Sequence, residues 1–298
     1  MRRLLRTLVL GLVLGACAFV VPNSGQAPTD FALVKVKRAT SVDLSRDVVW
    51  ILAVGSDARP GEDMTRTRGD ALQLIGMNTS TGSAVAIGIP RDSYVPIPGV
   101  GSERINAALY YGGPQLLADT VGDLVGVQPE YVFVTRFEKF EAMINDIGGI
   151  QVQNPVAFSD DSLKPAGFRA GKIHLRGYNA LTFSRIRKSL PAGDFDRSAN
   201  QQRVLRGIQA KIRDNADRNG FIESGVLSAL QNMAVDASPA ELYRLARAVV
   251  GVDRRKVVTC VVQGGIGNVG GASVVLPYVE QARAWGDQAR EDAELERC

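Results

Sequence analysis

Arginine and aspartate recur together where apolar stretches of the chain end. Arg91 and Asp92 directly follow the apolar stretch 84–90, and three further arginines lie between residues 185 and 197. The planar guanidinium group matches phosphate oxygens in a bidentate way and stays charged at any relevant pH. A single Arg–Asp neighbour is more often a solvated surface ion pair. Repetition at the ends of predicted elements, where functional groups are commonly mounted, favours a diphosphate pocket.

Two aspartates flank a polar loop between predicted strands. Asp57 follows the apolar run 48–54, and Asp70 precedes the run 71–77. We therefore expect both carboxylates at one edge of a sheet. Two carboxylates together with substrate phosphate oxygens commonly hold Mg²⁺. Phosphoryl transfer suits such a set, because positioned cations supply most of its catalysis and no protein nucleophile is needed.

Composition excludes several other kinds of chemistry. His174 is the only histidine and lies between two apolar residues, so a Ser-His-Asp triad or an ordinary zinc site is not expected and a structural role is favoured. The net charge is only +4, from 35 basic and 31 acidic residues. Such a balance gives no strong basic field, so we expect no nucleic-acid partner.

The first residues have the layout of a signal peptide or signal anchor. Basic residues at positions 2, 3 and 6 precede the apolar stretch 8–21, which Pro22 ends. A spanning helix needs about 20 apolar residues, so this stretch alone leaves cleavage open. Residues 14–17 resemble a lipoprotein cleavage box, but the apolar run continues after Cys17, which favours an uncleaved anchor with its basic end in the cytoplasm.

These features predict a single-pass membrane protein with three parts. Residues 1–22 form the anchor, residues 23–47 a polar spacer, and residues 48–298 one extracytoplasmic domain. Outside the cytoplasm, Cys260 and Cys298 could form a disulfide. The alternative is a buried thiol at Cys260 and a free thiol at Cys298, and the sequence leaves both open.

Alternating strand and helix patterns predict an α/β fold in which a mixed central sheet is sandwiched between helices. The predicted strands are 48–54, a hairpin of 71–77 and 84–89, 131–134, and 257–262. The predicted helices cover 114–124, a segment from residue 137 to Gly148-Gly149, 177–185, a segment carrying Val204 to Ile212, one starting at the capping box Ser238–Glu241, and the last twenty or so residues. We expect loops at 154–170, as a lid or rim, and at 188–196, and a flexible turn at 264–271.

Several short motifs follow one another in a characteristic order between residues 48 and 212. They are Gly55-Ser56-Asp57-Ala58-Arg59, Arg68-Gly69-Asp70, Ile89-Pro90-Arg91-Asp92-Ser93, Ile105-Asn106-Ala107-Ala108, Gly112-Gly113, Ile147-Gly148-Gly149-Ile150, Arg185-Ile186-Arg187, Gly193-Asp194-Phe195-Asp196-Arg197 and Gln201-Gln202. Through these motifs the chain resembles the LytR-CpsA-Psr family over residues 48–212. The resemblance implies a membrane-anchored, extracytoplasmic phosphotransferase. Such an enzyme moves a glycan phosphate from a polyprenyl-pyrophosphate carrier to a hydroxyl of peptidoglycan.

The resemblance also implies roles for particular residues. Asp57 and Asp70 would bind Mg²⁺, with Mn²⁺ as the alternative ion. The residues expected to contact the diphosphate are Arg59, Arg91, Arg185, Arg187, Arg197 and the amide of Gln201, and Asp194 would orient the arginines. The chain departs from the family pattern at Gly69, Asp196 and Asn200, where Ser or Thr, Gly, and Arg are common. The change at Asn200 removes a positive charge near the phosphates.

A polyprenyl tail also needs an apolar groove, which predicted helix faces could line. The candidates are Phe137, Phe140, Val204, Leu205 and Ile208, although most such residues belong to a core. Two other functions remain open for the same pocket, a polyprenyl-diphosphate pyrophosphatase and a non-catalytic receptor for anionic wall polymers or lipid pyrophosphates.

Overall fold

A computed structural model describes residues 31–37 and 47–298. The strands are β1 (Phe31–Lys35), β2 (Val48–Ser56), β3 (Gly69–Asn78), β4 (Ala84–Gly88), β5 (Tyr94–Ile97), β6 (Gly101–Arg104), β7 (Tyr131–Arg136), β8 (Ile150–Asn154), β9 (Phe158–Asp160), β10 (Lys164–Phe168), β11 (Gly171–Leu175), β12 (Ala234–Val235), β13 (Val257–Val261), β14 (Gly264–Val269) and β15 (Ala272–Pro277). The helices are α1 (Ala107–Val125), α2 (Phe137–Asp146), α3 (Gly177–Arg185), α4 (Asp194–Arg213), α5 (Phe221–Asn232), α6 (Pro239–Gly251) and α7 (Val279–Ala289).

A seven-stranded mixed sheet forms the centre of the fold, in the order β12-β1-β7-β2-β3-β4-β13. β2 pairs in parallel with β7, and β3 lies antiparallel to both β2 and β4. β13 returns to the sheet parallel to β4. This confirms the predicted mixed sheet and the predicted hairpin of β3 and β4.

Helices cover both faces of the sheet, as the layered pattern predicts. The alternating side chains of β2 explain this, because Trp50, Leu52 and Val54 belong to a core shared with α1 and α7. Gly76 of β3 lies opposite Trp50, and a Cβ atom there would meet the indole ring at 2.8 Å. The other face of the sheet lies towards α2, α3, α4 and α6, with Ile51 packed against the α6 side.

Helix α1 begins earlier than the sequence predicts, at Ala107 instead of residue 114. Gly113 has φ +69° and ψ −161°, so the helix consists of two segments joined by a kink. Pro114 opens the second segment, where its missing N–H costs nothing. Pro114 therefore marks the start of the second segment, as the sequence predicts, and the first segment precedes it.

Three predicted loops contain regular structure, which corrects the predictions. Residues 154–170 include the antiparallel pair β9 and β10, and residues 264–271 form most of β14, which pairs with β15. The predicted loop 188–196 is shorter than expected because α4 starts at Asp194. In the first two cases, pairing within a local hairpin outweighs the glycine, proline and polar composition, and in the third the helix begins inside the predicted loop.

The proposed division of the N-terminal region also needs correction. Phe31–Lys35, inside the predicted spacer, is strand β1 and pairs with β7 and β12, so the folded unit starts before Val48. The predicted anchor, residues 1–22, lies outside the described residues. Among residues 31–37 and 47–298, no helix is both long and apolar enough to cross a bilayer.

A capping box and a disulfide join distant parts of the fold. The Glu241 carboxylate accepts hydrogen bonds from Lys35 Nζ at 2.5 Å, Tyr131 OH at 3.0 Å and the Ser238 backbone N–H at 2.8 Å, which ties α6 to β1 and β7. Cys260 and Cys298 are bonded, with their Cα atoms 5.5 Å apart. Of the two alternatives left open by the sequence, the structure has the disulfide.

Candidate functional site

Strand directions bring the predicted site residues to one edge of the central sheet. Asp57 follows the end of β2, Asp70 lies at the start of the antiparallel β3, and Arg91 follows the end of β4. The Asp57 N–H donates to the Arg68 carbonyl at 3.5 Å, which closes the base of the loop 57–69. The predicted shared edge is therefore correct for Asp57 and Asp70, and the structure adds Arg91 to it.

Asp92 is the centre of an ion-pair network at this edge. Its carboxylate accepts from Arg187 Nη1 at 3.3 Å and lies 3.7 Å from Arg104 Nε and 3.8 Å from Arg91 Nε. Arg91 also pairs directly with Asp70. Asp92 thus links arginines from three separate segments of the chain.

Asp194, in the first turn of α4, is the second such centre. Its Oδ1 atom lies 2.7 Å from Arg197 Nη2 and 3.8 Å from Arg187 Nη1. The Arg197 side chain is only 6% exposed and the Asp194 side chain 12%. Arg187 contacts both Asp92 and Asp194, so it joins the two centres into one group. We call this group the arginine cluster: Arg91, Arg104, Arg187 and Arg197 with Asp70, Asp92 and Asp194.

The arginine cluster has an excess of positive charge and unsatisfied donors. Its four arginines face three aspartates, so its own ion pairs do not balance. The Nε atoms of Arg91 and Arg197 are buried and have no hydrogen-bond partner among the described residues. An unpaired buried donor costs about 1–3 kcal/mol, more when it is charged. An anion with several oxygens, such as a diphosphate, would satisfy both the charge and the donors.

Burial and charge shift the pKa values of several groups in this region. Burial raises the pKa of Asp194 despite the neighbouring Arg197, and burial lowers the pKa of Arg197 despite Asp194. Burial opposes the charged form of Arg91, but the charge and hydrogen bond of Asp70 raise its pKa overall. Partial burial of the carboxyl group, followed by the charge of Asp70, raises the pKa of Asp57. A negatively charged ligand beside Arg197 would stabilise its charged form. A cation beside Asp57 would stabilise the charged form of that carboxylate.

The other residues predicted to contact the diphosphate lie outside the arginine cluster. Arg185 is exposed and stacks on Phe137, with Cζ 4.7 Å from the ring centroid. Gln201 is buried; it accepts from Gln73 Nε2 at 3.1 Å and donates to the Ser184 carbonyl at 3.3 Å. The structure does not place Arg59 in the cluster. Its backbone N–H donates to Glu62, and its carbonyl accepts from Arg136 Nη1 at 2.7 Å.

Sequence reasoning missed several residues that complete the arrangement. Arg104 reaches Asp92 from strand β6 and donates to the Ser273 carbonyl at 2.9 Å. Beneath the cluster, Gln73 also donates to Ser198 Oγ at 3.1 Å, and Gln202 donates to the Cys260 carbonyl at 2.6 Å. The position of Asp92 directly after Arg91 could have identified it as a partner of the arginines from sequence alone. Nothing in the local sequence marks Arg104 or Gln73.

A cavity of about 800 Å³ extends from the arginine cluster between the sheet and helices α4 and α6. Its polar end is lined by Asp70, Arg91, Arg185, Arg187, Arg197 and Gln201. The rest is mainly apolar, with Ile75 and Met77 on the sheet and Leu242 and Leu245 on α6 among its walls. Every residue predicted for an apolar groove, Phe137, Phe140, Val204, Leu205 and Ile208, lines it. Asp57 and Arg59 do not.

The two predicted metal ligands have suitable chemistry but form a small set. Asp57 and Asp70 supply only carboxylate oxygens, the donors that Mg²⁺ prefers. Their mutual repulsion contributes to the raised pKa of Asp57, which a cation between them would relieve. No group of three or more His, Cys, Asp or Glu residues arranged for a metal occurs in the described part of the chain. The pair therefore fits a metal only if ligand oxygens complete the coordination.

Fold and site together define a class: an α/β/α protein that places an arginine cluster suited to diphosphate over an apolar cavity. The chain belongs to the LytR_cpsA_psr family, whose model matches residues 23–290. This confirms the resemblance read from the motifs and extends it beyond residues 48–212. The family match also continues through strands β13 to β15 and all of α7.

Curated relatives and solved structures agree with this membership. The chain is 37% identical over 201 residues to the polyisoprenyl-teichoic acid–peptidoglycan teichoic acid transferase TagU of Bacillus anthracis, covering 67% of this chain and 64% of that protein. Thus the chain matches a little under two thirds of the length of this relative. The crystal structure of Bacillus subtilis TagV superposes with a TM-score of 0.67 at 25% identity, covering 81% of this chain and 96% of TagV. YwtF (TagT), solved with bound octaprenyl pyrophosphate lipid, superposes at 0.62 with 21% identity over 89% of this chain and 98% of that one.

Proposed function

We propose that the protein transfers a glycan phosphate from a polyprenyl-pyrophosphate carrier to a hydroxyl of peptidoglycan. One observation carries the proposal: the arginine cluster lies at one end of a cavity of about 800 Å³ whose walls are mainly apolar. A polyprenyl diphosphate has the same division into a charged head and a long apolar tail. The name of the TagU relative and the octaprenyl pyrophosphate bound to YwtF support this assignment.

The cluster residues hold the diphosphate by charge and by paired hydrogen bonds. Arg91 and Arg197 have free Nε donors, Arg187 is two-fifths exposed and reaches the same space, and Arg185 lies at the rim of the cavity. Asp92 and Asp194 keep these guanidinium groups apart and oriented before the substrate arrives. Preorganised charges of this kind stabilise the transition state most, because they need no rearrangement during the reaction.

The reaction forms one P–O bond and breaks another. The acceptor hydroxyl oxygen bonds to the phosphorus that carries the glycan, while the bond from this phosphorus to the bridging oxygen breaks. The prenyl phosphate leaves with the bridging oxygen, and the hydroxyl proton is released. Arginines at the bridging and terminal oxygens stabilise the charge that develops on the leaving phosphate.

We also propose that Asp57 and Asp70 hold Mg²⁺, with Mn²⁺ as a substitute. A bound divalent cation would neutralise charge on the phosphate oxygens during transfer. Asp70 is shared with Arg91, so it connects the proposed ion to the cluster. We place the protein at the outer side of the cell membrane, anchored by residues 1–22, since its proposed substrates meet there.

The test is transfer of a labelled polyprenyl-pyrophosphate glycan to peptidoglycan oligomers. We expect Asp57→Ala to reduce the rate at least about a hundredfold, as for loss of one electrostatic catalytic group, while donor binding persists. Arg185→Ala should raise the donor concentration needed, because the arginine contacts oxygens that are already charged in the ground state.

The outcomes separate the proposed function from its alternatives. Prenyl phosphate released without glycan transfer would identify a pyrophosphatase. Donor binding without either product would identify a receptor. Undiminished transfer by Asp57→Ala in the presence of a chelator would contradict the metal-assisted mechanism but leave the transferase assignment intact. Asp63→Ala is the matched control, since this aspartate is in the same loop and, among the described residues, its carboxylate bonds only within its own turn, to Thr65.

A further inference from the structure

Two adjacent tyrosines are exposed on the first segment of α1. Tyr110 is 60% exposed and Tyr111 50%, and their ring centroids lie 5.4 Å apart with the planes at 72°. Neither hydroxyl has a hydrogen-bond partner among the described residues. Aromatic rings with one wet polar end are typical of binding surfaces. This pair lies outside the cavity and takes no part in the contacts of the arginine cluster.

Arg66 completes a surface with these rings. It is exposed, and its Nη1 donates to the Tyr111 carbonyl at 3.4 Å. Its guanidinium also packs against the kink of α1, where a Cβ atom on Gly113 would lie 3.5 Å from Arg66 Cζ. We call Arg66, Tyr110 and Tyr111 the tyrosine platform. It combines two apolar ring faces with cationic and hydroxyl donors.

The platform is connected to the arginine cluster by two routes along the backbone. The Asn106 N–H donates to the Arg91 carbonyl at 3.3 Å, and Tyr110 follows about one helical turn later. Arg66 lies in the loop that begins at Asp57 and ends at Asp70. Both sides of the platform are thus fixed to elements that carry cluster or candidate metal residues.

We propose that the tyrosine platform binds a saccharide unit of the acceptor glycan next to the one whose hydroxyl reacts. The inference rests on the proposed function, because that reaction needs a second sugar substrate. The cavity is matched to the apolar tail of the donor, so the acceptor must approach from outside it. A pyranose ring presents an apolar C–H face to an aromatic ring and hydroxyls at its edge, which suits tyrosine rings beside an arginine. A bilayer or a second copy of the chain would instead favour a larger, uninterrupted apolar patch.

The test measures acceptor recognition separately from donor chemistry. Peptidoglycan glycan oligomers are titrated by calorimetry into the full chain without donor, and the acceptor KM is measured in the transfer assay. We expect the double variant Tyr110→Ala/Tyr111→Ala to weaken oligomer binding and raise the acceptor KM about tenfold or more, with donor binding unchanged. Tyr110→Phe/Tyr111→Phe keeps the rings and should stay within about threefold of the wild type. Arg66→Ala should show an intermediate loss.

Tyr243→Ala is the matched control, since Tyr243 is an exposed tyrosine on α6, against the other face of the sheet. Equal acceptor KM and equal oligomer binding in the wild type and the double alanine variant would overturn the inference while leaving the transferase intact. Conversely, oligomer binding that depends on the tyrosines in a protein without transfer activity would support the platform and refute the proposed function. A change confined to self-association or vesicle binding would also overturn the inference.

Discussion

Replacing Asp194 by asparagine tests whether the arginine cluster holds excess positive charge in a buried setting. Asp194 Oδ1 lies 2.7 Å from Arg197 Nη2, and the two side chains are 12% and 6% exposed. Asparagine keeps the size of the side chain, so the change removes charge without opening a cavity. The guanidinium of Arg197 would then be buried with no full negative charge beside it.

The expected loss of stability follows from this geometry. Removing one partner of a buried ion pair costs about 3–5 kcal/mol, because the other charge remains desolvated. Arg187 also loses a contact at 3.8 Å, but its side chain is 40% exposed and can turn towards water. We therefore expect the low end of the range, about 3 kcal/mol. Asp214→Asn is the control, since its ion pair with Arg254 at 2.5 Å is exposed and should contribute less than about 1 kcal/mol.

Urea unfolding of the full chain, with and without inorganic pyrophosphate, provides the measurement. A ligand present at a hundred times its Kd stabilises by about 2.7 kcal/mol. Because the variant cluster has lost a negative charge, it should bind pyrophosphate more tightly and gain more stability from it than the wild type does. A loss below about 1 kcal/mol without pyrophosphate, or no larger gain with it, would refute this account of the cluster.

Two further predictions concern the connections between distant parts of the fold. Hydrogen bonds from Lys35 and then Ser238 lower the pKa of Glu241 to about 2, so its carboxylate should stabilise the fold above about pH 4.5 and lose that effect as the pH falls through 2. Glu241→Gln should therefore reduce the free energy of unfolding by about 1 kcal/mol near neutral pH, with the difference from the wild type vanishing in acid. The disulfide closes a separation of 38 residues, so Cys298→Ser should reduce the free energy of unfolding by about 3–4 kcal/mol.

Controls for these two predictions use the same unfolding assay. A difference between Glu241→Gln and the wild type that is unchanged down to pH 2 would show that the carboxylate charge is not what stabilises α6. Reducing agent should destabilise the wild type and leave Cys298→Ser unaffected. Two free thiols in the non-reduced protein, detected by mass measurement after alkylation, would contradict the disulfide.

Much of the fold was predictable because local patterns and tertiary packing agree. The apolar runs that became β2, β3, β4, β7 and β13 are strands in one sheet, where both faces are covered and local preference is not opposed. Predictions were wrong where glycine-rich or polar composition concealed short strands, as in the local hairpins β9–β10 and β14–β15. Strand β1 is mostly apolar but lies in a mixed region that read as a spacer, and it pairs with β7.

The sequence by itself determined the chemistry available at the site and its general location. The motifs around Asp57, Asp70, Arg91 and Arg197 carry that information, because strand ends place polar residues at a sheet edge and arginine suits phosphate wherever it lies. Tertiary structure alone decided that Arg104 reaches Asp92, that Arg59 does not join the cluster, and that the sheet and α6 supply the other walls of the predicted apolar groove. The physical reason is that these outcomes depend on the register of strands and the spacing of helices. Many weak long-range contacts set both, and no short segment encodes them.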